Sequence, residues 1–357
     1  MASTAAKLVL LSFAISHLIV TVGLTADPTA LLRLGVVDGS LSVDPSDVET
    51  ASLDFGMLSR SQPPMAVLHP ASADDIARLV KAAYKSAHGL RVSARGHGHS
   101  INGQAQASNG VVIEMSGSEF GNPGTVPRVW ISSLGSDGCV LYCLEITKNY
   151  HDSTADTLDK EVESLLKRLN FIPTSVFTTD LPYEDFLDRV HKAELKLRSK
   201  NLWNVPHPWL NLFVPKSRIA DFDKGVFKGI LGNNKTSGPI LIYPMNKNKW
   251  DQRSSAVTPD EDVFYSVGLL RSALDDGEKT HSLEYLTNQN RQIVKFCDDA
   301  GIKVKQYLPR YDTREEWMEH FGDKWDLFYQ RKMEFDPRFI LASGQRIFEP
   351  SSPIKTS

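Results

Sequence analysis

Cysteine is scarce in this 357-residue sequence: Cys139, Cys143 and Cys297 are the three present. An odd count excludes a complete disulfide framework. Cys139 and Cys143 fall in what reads as one strand, where an intrastrand bridge is geometrically poor, so buried free thiols are expected. An excess of charge of one sign is also missing. The 40 Lys and Arg residues face 43 Asp and Glu, a net charge of −3, which argues against a nucleic-acid binder and its basic surface. There is no internal repeat. The 19 Pro and 23 Gly are scattered, which excludes a fibrous or low-complexity chain. No Gly-Lys-Ser/Thr Walker loop occurs, and no complete dinucleotide fingerprint.

What remains is an ordinary globular composition, 41% hydrophobic and 23% charged. Its length suits two domains with a sizeable core. The one long apolar run, residues 8–24, follows a single Lys7 and ends in small residues before Asp27. A weak positive start, a short apolar core and a small-residue exit describe a signal peptide over residues 1–26. A membrane anchor or a buried helix is the rival reading, and the polar residues within the run weaken the anchor. The mature chain is therefore expected to span no membrane. The sequon Asn234-Lys235-Thr236, between Gly232 and Gly238, is a candidate glycosylation site on a surface loop.

Along the chain, residues 65–68 suggest a short strand. Ser72 and Asp75 suggest a capping box, opening a helix with Ile76, Leu79, Val80, Ala83 and Tyr84 on one face and stopped by Gly89. Leu90, Val92 and Ala94 alternate with Arg91, Ser93 and Arg95, the pattern of a half-buried strand. A glycine loop follows at 96–103, then a turn at Asn109-Gly110 and a strand at 111–115. Residues 116–134 show neither period and read as a loop or junction. Beyond them the patterns predict strands at 139–147, 239–243, 263–270 and 304–308. Helices are expected over 156–169, 183–198, 219–231 and 281–300, and from a Thr313/Glu316 capping box to about 335. The fold class is α/β or α+β with at least two domains.

Most of the chemistry sits in residues 95–104 (Arg-Gly-His-Gly-His-Ser-Ile-Asn-Gly-Gln). Glycines at 96 and 98 allow close backbone approach and positive φ. Successive amides in such a turn form an anion-binding nest suited to a pyrophosphate. His97 and His99 are spaced for a metal but have no Cys or carboxylate partner at useful spacing, so none is expected. By pattern alone, a tight turn with solvated histidines accounts for the segment.

The loop resembles the flavin-attachment motif of the vanillyl-alcohol-oxidase-type FAD oxidoreductases, and more narrowly that of the plant cytokinin dehydrogenases. The resemblance extends in family order to residues 186–190 (Phe-Leu-Asp-Arg-Val) and 203–215 (Trp-Asn-Val-Pro-His-Pro-Trp-Leu-Asn-Leu-Phe-Val-Pro). It continues through 243–247 (Tyr-Pro-Met-Asn-Lys), 305–308 (Lys-Gln-Tyr-Leu) and 344–348 (Gly-Gln-Arg-Ile-Phe). It implies an α+β, two-domain FAD-linked oxidase fold with a PCMH-like FAD-binding domain. It implies covalent FAD on His99, with further cofactor contacts from Ala94, Gly96, His97, Gly98, Ser100, Gln104, Tyr307, Ala342 and Gln345. His97 stands where the family usually has Arg or Asn. The substrate pocket would use Trp209, Asn211 and Leu308. On the residues alone, Trp209 reads as core, Asn211 as a turn cap, and Tyr307 and Gln345 as surface.

After Val111–Met115 the sequence departs from the family. A Trp-Thr-Asp-Tyr-type block, whose Asp takes the substrate amine's proton, has no counterpart here. Neither has a Gly-Gly-Thr block that wraps the pyrophosphate. The FAD domain is therefore expected to be incomplete and no catalytic residue is assigned. The expected segments are an N-terminal FAD part at 27–115, a junction at 116–135, a substrate domain at 136–253, a return to the FAD domain at 254–348 and a tail at 349–357. The resemblance implies oxidation of the N6 side chain of isoprenoid cytokinins to adenine and an aldehyde, with oxygen or a quinone as acceptor. The product is expected to be a secreted monomer, in the apoplast or an endomembrane lumen. The alternative is a non-catalytic remnant or a weak adenine-binding module.

Overall fold

The structure, a computed structural model, describes residues 41–59, 62–86, 89–115, 126–134, 140–169, 172, 176–232, 238–342 and 345–348. For 126–134 and residues 152, 155 and 156 it describes the backbone alone. The expected leader, Cys139 and the Asn234 sequon lie outside the described residues. The chain divides into two compact units. Unit 1 is Met1–Asp54, Ser59–Gly117 and Asp326–Ser357; unit 2 is Phe55–Leu58 and Ser118–Trp325. The sequence segments placed the return to the first domain at 254, whereas unit 1 resumes at Asp326.

Unit 1 is built on β1 (Leu41–Ser42), α1 (Pro45–Ser52), β2 (Ala66–Leu68), α2 (Ala73–Lys85), β3 (Val92–Arg95) and β4 (Val111–Glu114). The sheet order is β1-β2-β4-β3, with β2, β4 and β3 parallel and β1 antiparallel at the edge. The Ser72/Asp75 capping box opens α2: the Asp75 carboxylate accepts the Ser72 amide at 3.1 Å. Leu79 and Ala83 of α2 cover one sheet face through Leu68, Val92, Val111 and Ile113. Ala51 of α1 covers the other face with Val67, Ala107 and Val112. Parallel strands covered on both sides do not alternate between core and solvent. The half-buried reading of residues 90–95 is corrected accordingly: Ser93 and Arg95 are buried and Ala94 is exposed. The free edge of β3 is closed by the C-terminal segment. Val92 N–H donates to Ile340 O, and Ala342 N–H donates to Val92 O, both at 2.7 Å.

Unit 2 holds two antiparallel sheets. One contains β5 (Val126–Leu134), β6 (Tyr142–Tyr150) and β7 (Phe177–Asp180) in the order β6-β5-β7, with α3 (Ala155–Leu166) against it through Leu158 and Val162. The strand β5 corrects the expected junction: a nine-residue antiparallel ladder to β6 overrides weak local composition. The expected helix at 183–198 is two, α4 (Tyr183–Leu187) and α5 (Arg189–Arg198), broken at Asp188 with φ −79° and ψ −2°. Of the two described thiols, both free, Cys297 is buried as expected and Cys143 is exposed.

The larger sheet of unit 2 has the order β11-β8-β10-β9, from β8 (Leu210–Pro215), β9 (Ile240–Asn246), β10 (Val263–Leu269) and β11 (Lys305–Gln306). Its core joins Leu212, Val214, Val267 and Leu269 to Ile293 and Cys297 of α7 (Leu283–Asp299) and to Phe222 of α6 (Ile219–Phe222). The expected helix at 219–231 changes to a π-helix over Asp223–Leu231. There a Cβ on Gly225 would lie 1.9 Å from the Phe296 ring, so glycine permits the close approach. The Thr313/Glu316 capping box starts α8 (Arg314–Phe321). A short turn at Gly322, φ +50°, separates it from α9 (Trp325–Phe335), where one helix was expected.

On α8, burial, assisted by the Lys305 charge, pushes the His320 imidazole down to about 4 from 6.5. The unfolded chain accepts a proton that the folded chain resists. Stability is therefore expected to fall as pH drops through 6.5 towards 4, by on the order of 1 kcal/mol once solvent screening of this partly exposed ring is allowed for. Urea denaturation of the wild type and of H320F at pH 7 and pH 4.5 checks this. Equal pH dependence in both proteins would refute it.

Candidate functional site

In unit 1 the glycine loop leaves the C-terminal end of β3. The loop is anchored from beneath by Asp54, only 4% exposed. Its Oδ2 accepts the Gly103 amide at 2.6 Å and the Ser100 hydroxyl at 3.2 Å. Arg95 lies under the same loop. Its Nη1 donates to Leu53 O at 2.6 Å, and its Nε is 3.9 Å from Glu114 Oε2. Burial pushes the Arg95 guanidinium below its usual pKa, while the Glu114 and Asp54 charges oppose the shift. Gly98 has φ +69°, and a Cβ there would meet the Arg95 guanidinium at 2.4 Å, so this position requires glycine on two grounds.

Above this support, Ala94, Gly96, His97 and His99 are exposed. The two imidazoles stand 6.2 Å apart, tilted by 44°. The space around a Gly96 Cβ is open. Ser100 and Gln104 are half-buried. Gln104 Oε1 accepts the Asn102 amide at 2.9 Å, and its backbone oxygen accepts the Ser93 hydroxyl at 3.2 Å. Ala342, half-buried, is held beside the start of β3 by its bond to Val92. Gln345 follows, half-buried. Small residues beside a rigid turn, with two imidazoles on its open side, fit a planar cofactor approaching the backbone.

In unit 2, Trp209, Asn211, Tyr307 and Leu308 gather at one end of the larger sheet. Tyr307 N–H donates to Asn211 O at 2.9 Å, continuing the pairing of β11 with β8. The Tyr307 ring stacks on Phe213 at 5.2 Å. Asn211 lies opposite Gly268, where a Cβ would come within 3.3 Å of Asn211 Oδ1. Leu308 has φ +54°, a strained conformation for a side chain of its size, and is exposed. Trp209 belongs to a ring cluster: Phe55 stacks on His207 at 3.9 Å and 9°, and meets Trp209 edge-on at 5.1 Å. The Trp209 indole Nε1 is buried with no hydrogen-bond partner among the described residues.

His207 is the pivot of that cluster. Its Nε2 lies 3.0 Å from Trp203 O, and its Nδ1 lies 3.0 Å from Ser272 Oγ. A carbonyl can only accept, so Nε2 carries the proton. Burial pushes the His207 pKa down, favouring the neutral ring. Sequence patterns gave no signal for Asp54 or Phe55, and His207 stood only as a member of the 203–215 block; the roles of all three depend on residues distant in the chain. Arg95 was visible but read as solvent-facing. Among the described residues, no group of three or more His, Cys, Asp or Glu is arranged to hold a metal ion, and no helix is long and apolar enough to cross a membrane.

The family model described as "Cytokinin dehydrogenase 1, FAD and cytokinin binding" matches residues 89–348. Cytokinin dehydrogenase 5 of Arabidopsis thaliana is 47% identical over 515 aligned positions, covering 96% of this chain and 95% of that protein. Cytokinin dehydrogenase 5 of Oryza sativa subsp. japonica is 41% identical, covering 96% and 98%. An alignment of 515 positions exceeds this chain's 357 residues, so at least 158 positions (515 less 357) of the Arabidopsis relative have no counterpart here. Cytokinin dehydrogenase 9 of Oryza sativa subsp. japonica matches locally, 52% identical over 62% of this chain and 42% of its own length. A variant of berberine bridge enzyme shares the fold with a TM-score of 0.57, at 11% identity over 89% of this chain and 98% of that one. Carbohydrate oxidase from Microdochium nivale does so with a TM-score of 0.56, at 12% identity over 90% of this chain and 100% of that one.

Proposed function

This chain belongs to the cytokinin dehydrogenase family of FAD-linked oxidoreductases, and from that premise we propose that it oxidises the N6 side chain of isoprenoid-substituted adenines. The observation that carries the reading is the convergence of Trp209, Asn211, Tyr307 and Leu308 at one sheet end, within a chain matched to that family over residues 89–348. FAD, when bound, supplies the acceptor for the hydride leaving the side-chain carbon.

The rest is done by the chain. The His99 imidazole would supply a nucleophilic nitrogen for covalent attachment, and in unit 1 Ala94, Gly96, His97, Gly98, Ser100, Gln104, Ala342 and Gln345 would hold the cofactor. Trp209 offers an apolar face to the purine, the Asn211 carboxamide a hydrogen-bonding group, and Leu308 an apolar wall for the isoprenoid tail. Water would hydrolyse the imine product to adenine and an aldehyde, and the final electron acceptor would be oxygen or a quinone. With no counterpart of the family's Asp block, the amine proton passes to solvent base. Turnover is expected to be slower than that of a full-length relative by roughly 10²–10⁴-fold.

The test is anaerobic addition of N6-isopentenyladenine to FAD-loaded protein, followed in the visible spectrum. Bleaching with release of adenine supports the reading. Stable colour with no adenine, under conditions that reduce a full-length relative, would leave the adenine-binding module as the better description. The same proposal makes the chain a secreted monomer, cleaved near Asp27 and glycosylated at Asn234, in the apoplast or an endomembrane lumen. N-terminal sequencing of protein from a secretory host, and its mass before and after glycan removal, test those parts.

A further inference from the structure

Arg271 is fully buried, at 0% exposure, and forms no ion pair among the described residues. Its Nη1 donates to Gln289 Oε1 and its Nη2 to Asn290 Oδ1, with a longer bond at 3.4 Å to Leu286 O. Its Nε has no hydrogen-bond partner among the described residues. A cation buried among neutral groups is costly, and a hydrophobic residue of similar volume would avoid that cost. The geometry shows what the charge achieves. A guanidinium can only donate, so it holds the oxygen side of the Asn290 carboxamide towards itself. The amide side is then turned to Pro208, where Asn290 Nδ2 donates to the backbone oxygen at 2.9 Å. Pro208 immediately precedes Trp209.

The neighbouring contacts run in the same direction. Ala273 N–H donates to Pro206 O at 2.7 Å, and Ser272 Oγ meets His207 Nδ1 at 3.0 Å. Residues 271–273 thus lace residues 206–208 at three successive positions, the last one through Asn290. We propose that Arg271 and Asn290 are positioning residues that set the orientation of Trp209 and Asn211 for a purine ligand. This rests on the substrate reading above.

Asn290→Asp and Gln289→Glu both place a carboxylate against Arg271, but only the first removes the donor to Pro208. Arg271→Met removes the buried charge and with it the selection of the Asn290 orientation. The readouts are the melting temperature, the near-UV circular dichroism band assigned to Trp209 by its loss in Trp209→Phe, and the dissociation constant for N6-isopentenyladenine from tryptophan quenching. N290D and R271M are expected to lose the Trp209 band and to bind roughly tenfold more weakly, with R271M melting no lower than the wild type. Q289E is expected to keep the band and an affinity within about twofold of the wild type. Retention of both band and affinity in N290D and R271M would overturn the proposal. A wild type that does not bind the probe would refute the substrate reading, while the band still decides whether the two residues orient Trp209.

Discussion

Replacing His99 with alanine is expected to give a protein whose flavin is released completely by denaturation, whereas the wild type keeps its yellow colour in denaturant. The expectation follows from the loop's construction. His99 is exposed on a turn whose underside is fixed by the Asp54 carboxylate on Gly103 and Ser100 and by Arg95 beneath Gly98. Removing one imidazole leaves that support in place, so the change is confined to the attachment chemistry. His97 offers the control. It is also exposed, 6.2 Å from His99 between ring centres, and His97→Ala is expected to retain bound colour after denaturation. Flavin fluorescence of the denatured protein on a gel gives the answer. Retention in H99A, or loss in H97A alone, would reassign the attachment site.

Asp54→Ala is expected to destabilise unit 1 by about 3–5 kcal/mol, because two bonds to a buried carboxylate disappear and the negative charge opposing Arg95 is lost. The Gly103 amide, itself buried, would be left unpaired. Asp54→Asn keeps an acceptor oxygen without the charge and is expected to lose about half as much. Thermal unfolding followed by far-UV circular dichroism reads the difference, with a shift of at least several degrees for the alanine variant. Flavin content should fall in parallel, since the loop loses the group that fixes its backbone. An unshifted first transition with full flavin content would show that Asp54 does not hold the loop.

Local signals carried much of the chain. The Ser72/Asp75 and Thr313/Glu316 boxes mark helix starts because each involves only residues three apart, and both occur as expected. The strand-helix-strand-loop-strand unit around the glycine loop was legible because period and turn chemistry are short-range properties. What failed depended on partners elsewhere. The strand at 126–134 exists through its pairing with β6 and β7, and residues 90–95 read as half-buried although helices cover both faces of their sheet.

The candidate site divides along the same line. Sequence by itself determined the family, the glycine loop with His99, and the block carrying Trp209 and Asn211, since these are runs of adjacent residues whose order identifies them. Only the tertiary structure decided that Asp54 and Arg95 support the loop. It alone put Phe55 against His207 and turned Asn290 towards Pro208 under the direction of a buried arginine. A hydrogen bond acts over about 3 Å. Which residues the folded chain brings within that range is set by packing across long sequence separations, and no local pattern records it.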